Sequence, residues 1–167
     1  MEVMQLEDVT LIGHTDRQAK ELEQSLIAQL RNLLDGEENH IANMANTTAL
    51  LFSELAHVNW VGFYLYDDEQ LVLGPFQGKP AVTRIKLGNG VCGAAAEQRR
   101  TIRVGNVCDF VGHIACDPNS RAEIVVPLIK DEYLIGVLDL DSPLVDRFTS
   151  EDQQLLEAVA QIITSIW

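Results

Sequence analysis

Glu123 to Asp141 reads EIVVPLIKDEYLIGVLDLD. Two apolar, β-rich runs, EIVVPLI and YLIGVLDLD, flank the charged triplet Lys130, Asp131 and Glu132, which is the pattern of a hairpin. With a three-residue turn, Ile129 faces Tyr133 and Glu123 sits across from Asp139. Asp141 is then one step along the same face, because strand side chains alternate with period two. Ile124, Val126, Leu128, Leu134 and Leu138 form the opposite, core-facing side, while Val125, Val137 and Ile135 share the side of the acids. Like charges opposed across a ladder repel, and burial drives a carboxylate toward its protonated form. Three acids on an otherwise apolar strand pair are therefore a poor choice for stability alone. They read as a site; the alternative is a solvated sheet face.

Upstream of the hairpin, the irregular stretch from Cys108 to Arg121 is punctuated by Gly112 and Pro118 and carries Cys108 and Cys116. Loops of that length in compact domains are usually functional or mobile. TIRVGNV before it reads as a short strand, and VTRIKL and Gln70 to Gln77 as two more. NWVGFYLYD is a strand with Val61, Phe63 and Leu65 on one side and Trp60, Gly62 and Tyr64 on the other. A glycine between two large aromatics predicts a notch wide enough for a small apolar group; the alternative is two aromatics packed under a helix. GNGVCGAAAEQRR opens a helix from about Val91 to Arg99, with Cys92 in its first turn, where unpaired amides and the helix dipole favour a thiolate. The glycine spacing is wrong for a dinucleotide-binding turn.

The ends of the chain are helical. Residues 1–15 read as an extended lead-in. Leu22, Leu26, Leu30, Leu33 and Leu34 recur at helical spacing from a cap at Thr15 or Asp16, and Gly36 stops that helix. A second helix begins near Glu37, buries Ile41, Met44, Thr48, Leu51, Phe52 and Leu55, and ends before Asn59. A last helix starts at Thr149 with a Ser150–Gln153 capping box. Its stripe of Leu155, Leu156, Val159, Ile162, Ile163 and Ile166 covers the sheet or joins the first helices in a homodimer.

At 167 residues, 47% hydrophobic and 22% charged, the chain is one domain over 1–167 with a real core. A net charge of −13 argues against a nucleic-acid or anionic-membrane surface. No apolar run approaches the roughly 20 residues of a membrane span, and MEVMQLEDVT lacks a signal peptide's regions. Three cysteines within Cys92 to Cys116 predict thiols in a reducing cytoplasm; their spacing does not resemble a zinc site, and no metal or cofactor is implied. The order of elements is α+β: a central, mainly antiparallel sheet with the N- and C-terminal helices on one face and loops plus a short helix over the other.

NWVGFYL, LGPFQGKPA, GVCGAA, GHIACD, EIVVPL and GVLDLDSP, in that order, resemble the free methionine-(R)-sulfoxide reductases, a family built on the GAF fold. The likeness covers Asn59 to Leu156. It implies a cytoplasmic oxidoreductase that reduces the R epimer of free methionine sulfoxide through a cysteine sulfenic acid and a disulfide, recycled by thioredoxin. By position, Cys116 corresponds to the nucleophile and Cys92 to another redox cysteine. Glu123, Asp139 and Asp141 correspond to the acids that hold the sulfoxide oxygen and the substrate amine, and Trp60 and Tyr64 to aromatics at its methyl end. Within the trio, Glu123 and Asp141 are the better proton donors, with Asp139 for binding. One departure stands out: the family's GKPAC reads GKPAV here, so Val82 occupies the place of a resolving cysteine. Cys92 is then the first candidate to resolve Cys116 and Cys108 the second, although Cys108 matches no family cysteine and reads as a small buried hydrophobe. His113 assists thiolate formation or is simply solvated. The same fold also serves non-catalytic sensors of small ligands, which is the rival reading.

Overall fold

A computed structural model of the chain describes residues 16–114 and 117–167. The lead-in expected over 1–15, and Cys116 itself, lie outside the described residues. Strands β1 (Trp60–Asp67), β2 (Gln70–Gln77), β3 (Arg84–Lys86), β4 (Ile102–Val104), β5 (Ala122–Lys130) and β6 (Tyr133–Ser142) form one sheet in the order β3-β2-β1-β6-β5-β4. Each neighbouring pair is antiparallel. Helices α1 (Asp16–Leu34), α2 (His40–Glu54) and α4 (Ser150–Ser165) cover one face, and α3 (Gly90–Gln98) lies over the other. This is the α+β architecture expected from the order of elements.

The β5–β6 hairpin differs from its expected register in a way that matters for the site. Its turn has two residues, Asp131 and Glu132, both at positive φ (49° and 67°), as the tight hairpin turns require. Lys130 pairs with Tyr133 and Ile129 with Leu134; the ladder then shifts, so that Leu128 faces Gly136. Ile135 is the extra residue of this bulge. A turn one residue shorter than expected, plus one bulged residue, moves the register by two. Glu123 therefore faces Asp141 rather than Asp139. The bulge also exchanges the expected faces of its neighbours: Leu134 packs on the side of α3, and Ile135 on the side of the terminal helices.

Both faces of the sheet carry a packed apolar cluster. Val61, Phe63, Ile124, Val126, Leu128, Leu138 and Leu140 pack with Leu26, Leu30, Met44, Leu51, Leu156 and Ile163 from the helices. The stripe of α4 thus covers the sheet. In α2, Asn39 is the cap, with Oδ1 accepting from the Ala42 amide at 3.0 Å, so the helix starts at His40 rather than near Glu37. Its buried stripe centres on Met44, Thr47 and Leu51, which at helical periodicity leaves Ile41 and Phe52 on the flank, exposed rather than buried. Leu33 of α1 is likewise exposed. The capping box of α4 is Thr149 with Asp152, one residue earlier than expected. Asp152 also takes the buried Arg147 guanidinium at 2.8 Å, while Arg147 Nε donates to the Ala56 carbonyl at 2.8 Å, pinning the end of α2 to the start of α4.

Candidate active site

On the α3 side of the sheet, ladder pairing aligns the sequence-predicted residues in rows. Trp60 of β1, Asp141 of β6 and Glu123 of β5 form one row; Gly62, Asp139 and Val125 form the next; Tyr64 and Val137 lie beyond. Glu123, Asp139, Asp141, Trp60 and Tyr64 are all buried. The acid trio is thus real as a cluster and is not a solvated sheet face.

Above the trio, Cys92 is buried near the start of α3, with Sγ 3.9 Å from Glu123 Oε1. The helix can come this close because of Gly93: a Cβ there would lie 2.4 Å from the Lys86 carbonyl oxygen of β3. His113 enters from the loop after β4, its Nε2 3.0 Å from Glu123 Oε2. With its side chain only 14% exposed, His113 is part of the cluster rather than solvated.

Taking carboxylates out of water disfavours their charged form, and a second acid nearby adds to the effect. Burial first, and then the Asp141 charge, raise Glu123 well above the usual carboxylate range, against an opposing hydrogen bond with Asp139. Asp141 is also raised, by burial and then by the Asp139 charge, with a further push from Asp117; the Ser120 hydroxyl opposes this without completing a hydrogen bond. Burial pushes His113 down, toward its neutral form. Burial and repulsion from neighbouring acids therefore favour the protonated forms of Glu123 and Asp141. The cluster can donate a proton to a ligand oxygen and, once ionised, attract a ligand cation.

The walls are aromatic and tied down. Trp60 stacks between Tyr64 (centroids 5.9 Å apart) and Phe76 (5.5 Å), and its Nε1 donates to the Lys79 carbonyl at 3.0 Å. Tyr64 donates its hydroxyl proton to the Val82 carbonyl at 2.8 Å. Both bonds hold the segment after β2, and Lys79 Nζ in turn reaches Asp117 Oδ1 at 3.2 Å, so that segment is fastened to the loop carrying Asp117. The expected notch at Gly62 is not open: a Cβ there would lie 2.2 Å from the Trp60 ring, because the indole folds back over the glycine. The glycine seats the tryptophan instead of a ligand.

Of the predicted site residues, the structure brings together Cys92, Glu123, Asp139, Asp141, Trp60 and Tyr64; the position of Cys116 lies outside the described residues. Cys108 is exposed and not a buried hydrophobe, with Arg121 Nη1 3.8 Å from its sulfur. Sequence reasoning missed Phe76, Ser120 and the Lys79–Asp117 tie. The one available signal was Asp117, adjacent to Cys116 in GHIACD.

The GAF domain model matches residues 40–166. The chain is 52% identical over 131 residues to the free methionine-R-sulfoxide reductase of Escherichia coli, covering 78% of this chain and 79% of that protein. Among solved structures, free methionine-R-sulfoxide reductase from Neisseria meningitidis in complex with its substrate superposes with a TM-score of 0.86 at 40% identity, covering 96% of this chain and 95% of that one. The fRMsr of Staphylococcus aureus in complex with substrate gives 0.82 at 49% identity, over 86% and 94%. Buried acids in ladder rows with Trp60 and Gly62, on a six-stranded sheet of this order, thus coincide with a likeness that spans nearly the whole described chain, and the protein belongs to the GAF-domain family of the free methionine-R-sulfoxide reductases.

Proposed function

We propose that this protein reduces free methionine-(R)-sulfoxide to methionine at the acid cluster. The observation that carries the reading is a buried trio of carboxylates, two of them with pKa values raised by burial and by a neighbouring acid's charge, beside a buried thiol and in ladder rows with Trp60 and Gly62. A sulfoxide oxygen leaves only as hydroxide or water, so the reaction needs a thiolate at sulfur and proton donors at oxygen. Cys116 attacks the sulfur, forming an S–S bond; Glu123 and Asp141 protonate the oxygen, which departs as water. A second water then attacks the Cys116 sulfur, releasing methionine and leaving Cys116 as a sulfenic acid. The Cys92 thiolate displaces hydroxide from that sulfenic acid to give a disulfide, and a small dithiol protein, thioredoxin, returns both thiols to the reduced state.

Asp139 pairs with the substrate ammonium. A charge-assisted bond of this kind contributes about 1.5–3 kcal/mol, which favours the free amino acid over a methionine sulfoxide residue inside a peptide. Trp60, Tyr64 and Phe76 supply the apolar wall for the methyl end. Val82 does not disturb that wall, because Tyr64 is anchored to its backbone carbonyl, which any residue supplies.

The test is steady-state turnover with an exogenous dithiol on each epimer of free methionine sulfoxide and on a peptide containing the sulfoxide. Methionine from the free R epimer alone is expected. Equal turnover of both epimers, or of the peptide, contradicts the proposal. Mass spectrometry after substrate exposure should find the Cys92–Cys116 disulfide; a Cys108–Cys116 disulfide alone would reassign the resolving thiol.

A further inference from the structure

We propose that His113, Glu123 and Asp141 form a divalent-cation site suited to Zn2+, which metal and substrate occupy in alternation. One donor atom from each of the three lies within 4.8 Å of the others. They arrive from three separate places: the loop after β4, strand β5 and strand β6.

The state of those atoms points to a cation. Both carboxylate oxygens of Asp141, Oε2 of Glu123 and Nε2 of His113 are buried without a hydrogen bond. The last two approach to 3.0 Å yet do not share a proton in hydrogen-bonding geometry. Two such atoms aimed at common space have nearly the spacing of neighbouring ligands on one ion, since bonds of about 2.0–2.1 Å at the tetrahedral angle separate donors by roughly 3.3–3.4 Å. Among the described residues no lysine or arginine pairs with Glu123 or Asp141, so negative charge that escapes protonation has no fixed partner. The donor chemistry then selects the ion. One imidazole with two carboxylates suits zinc, whereas magnesium and calcium favour shells made of oxygen alone. Three protein ligands with a fourth position open is the arrangement of accessible zinc sites.

Cysteine spacing argues against a zinc site in the sequence, and it has no bearing on this one, whose ligands meet only in the fold. A second group shares Glu123: donor atoms of Cys92, Glu123 and Asp139 also lie within 4.8 Å of one another. That alternative ligand set is an outcome of the test. The exclusion of substrate rests on the reductase reading; the binding of metal does not.

The experiment is Zn2+ titration of the reduced full chain against a chromophoric chelator, without substrate, followed by Co2+ spectroscopy. One ion per chain is expected, with affinity falling at least tenfold in His113→Ala and in His113→Asn, and persisting in Cys92→Ser. Thermal unfolding of the metal-free variants checks that they fold. The Co2+ complex should lack a thiolate-to-metal charge-transfer band. No binding, or affinity unchanged in both His113 variants, overturns the site; a thiolate band assigns the ion to the Cys92 group and overturns the ligand set. Free methionine-(R)-sulfoxide should then weaken apparent Zn2+ affinity in proportion to its concentration. Zinc that stays bound at saturating sulfoxide refutes the alternation, and turnover measured separately shows whether the reductase reading has failed with it.

Discussion

Glu123 and Asp141 face each other across β5 and β6, and both are buried. Their raised pKa values give the reaction a sign in pH. A protonated donor is needed, so kcat/KM should fall as pH rises through the raised carboxyl range, while the need for a thiolate lowers it at acid pH. Glu123→Gln removes a donor without emptying the space; kcat should drop by about 10²–10⁴-fold and the alkaline limb should change shape, read from pH–rate profiles of both proteins. Unchanged kcat would place proton donation elsewhere. Cys116→Ser should abolish methionine formation. Cys108 is exposed, so Cys108→Ser should leave turnover within about twofold.

At the scale of elements, the sequence carried the faces of the sheet better than its register. Period-two alternation places Glu123, Asp139 and Asp141 on one side, and because the shorter turn and the bulge together shift the register by two, only Leu134 and Ile135 beside the bulge exchange faces. What alternation does not encode is turn length or a bulge, so the sequence paired Glu123 with Asp139 where the structure pairs it with Asp141. The contact of His113 with Glu123 was hidden for a different reason: eight loop residues, 114 to 121, separate it from β5, and a loop's path is set by tertiary contacts rather than by a period. The fold-back of Trp60 over Gly62 is a rotamer choice made by Phe76 and the Lys79 carbonyl, again invisible locally. The hairpin turn supports a stability prediction. Glu132 sits at φ 67°, where a side chain costs about 1–2 kcal/mol. Part of that is offset by the looser unfolded chain, so Glu132→Gly should stabilise by about 0.5–1 kcal/mol in denaturant unfolding. Conversely, Arg147→Met strands the buried Asp152 carboxylate and should cost about 3–5 kcal/mol.

For the whole molecule, one sheet joins two apolar cores, one under α1, α2 and α4 and the other under α3, so neither can melt without exposing the back of the other. The described residues should unfold in a single transition, with far- and near-ultraviolet circular dichroism superimposing. Stability should also depend on pH through the site. A carboxyl whose pKa is raised by folding holds its proton in the folded state after the unfolded chain has lost it. Its favourable contribution is complete below the unfolded range near about 4, and disappears as pH climbs to the raised folded values. Stability should therefore fall with rising pH across that window, and Asp141→Asn should flatten the slope. No helix among the described residues is long and apolar enough to cross a membrane. The most direct test of the central claim, that these acids and a cysteine thiol act together on a sulfoxide, is single turnover. Fully reduced protein is mixed with excess free methionine-(R)-sulfoxide and no reductant, and methionine and remaining thiols are counted. The account predicts one methionine released and two thiols lost per chain, with release slowed in Glu123→Gln. Bound sulfoxide with all thiols retained and no methionine would contradict it.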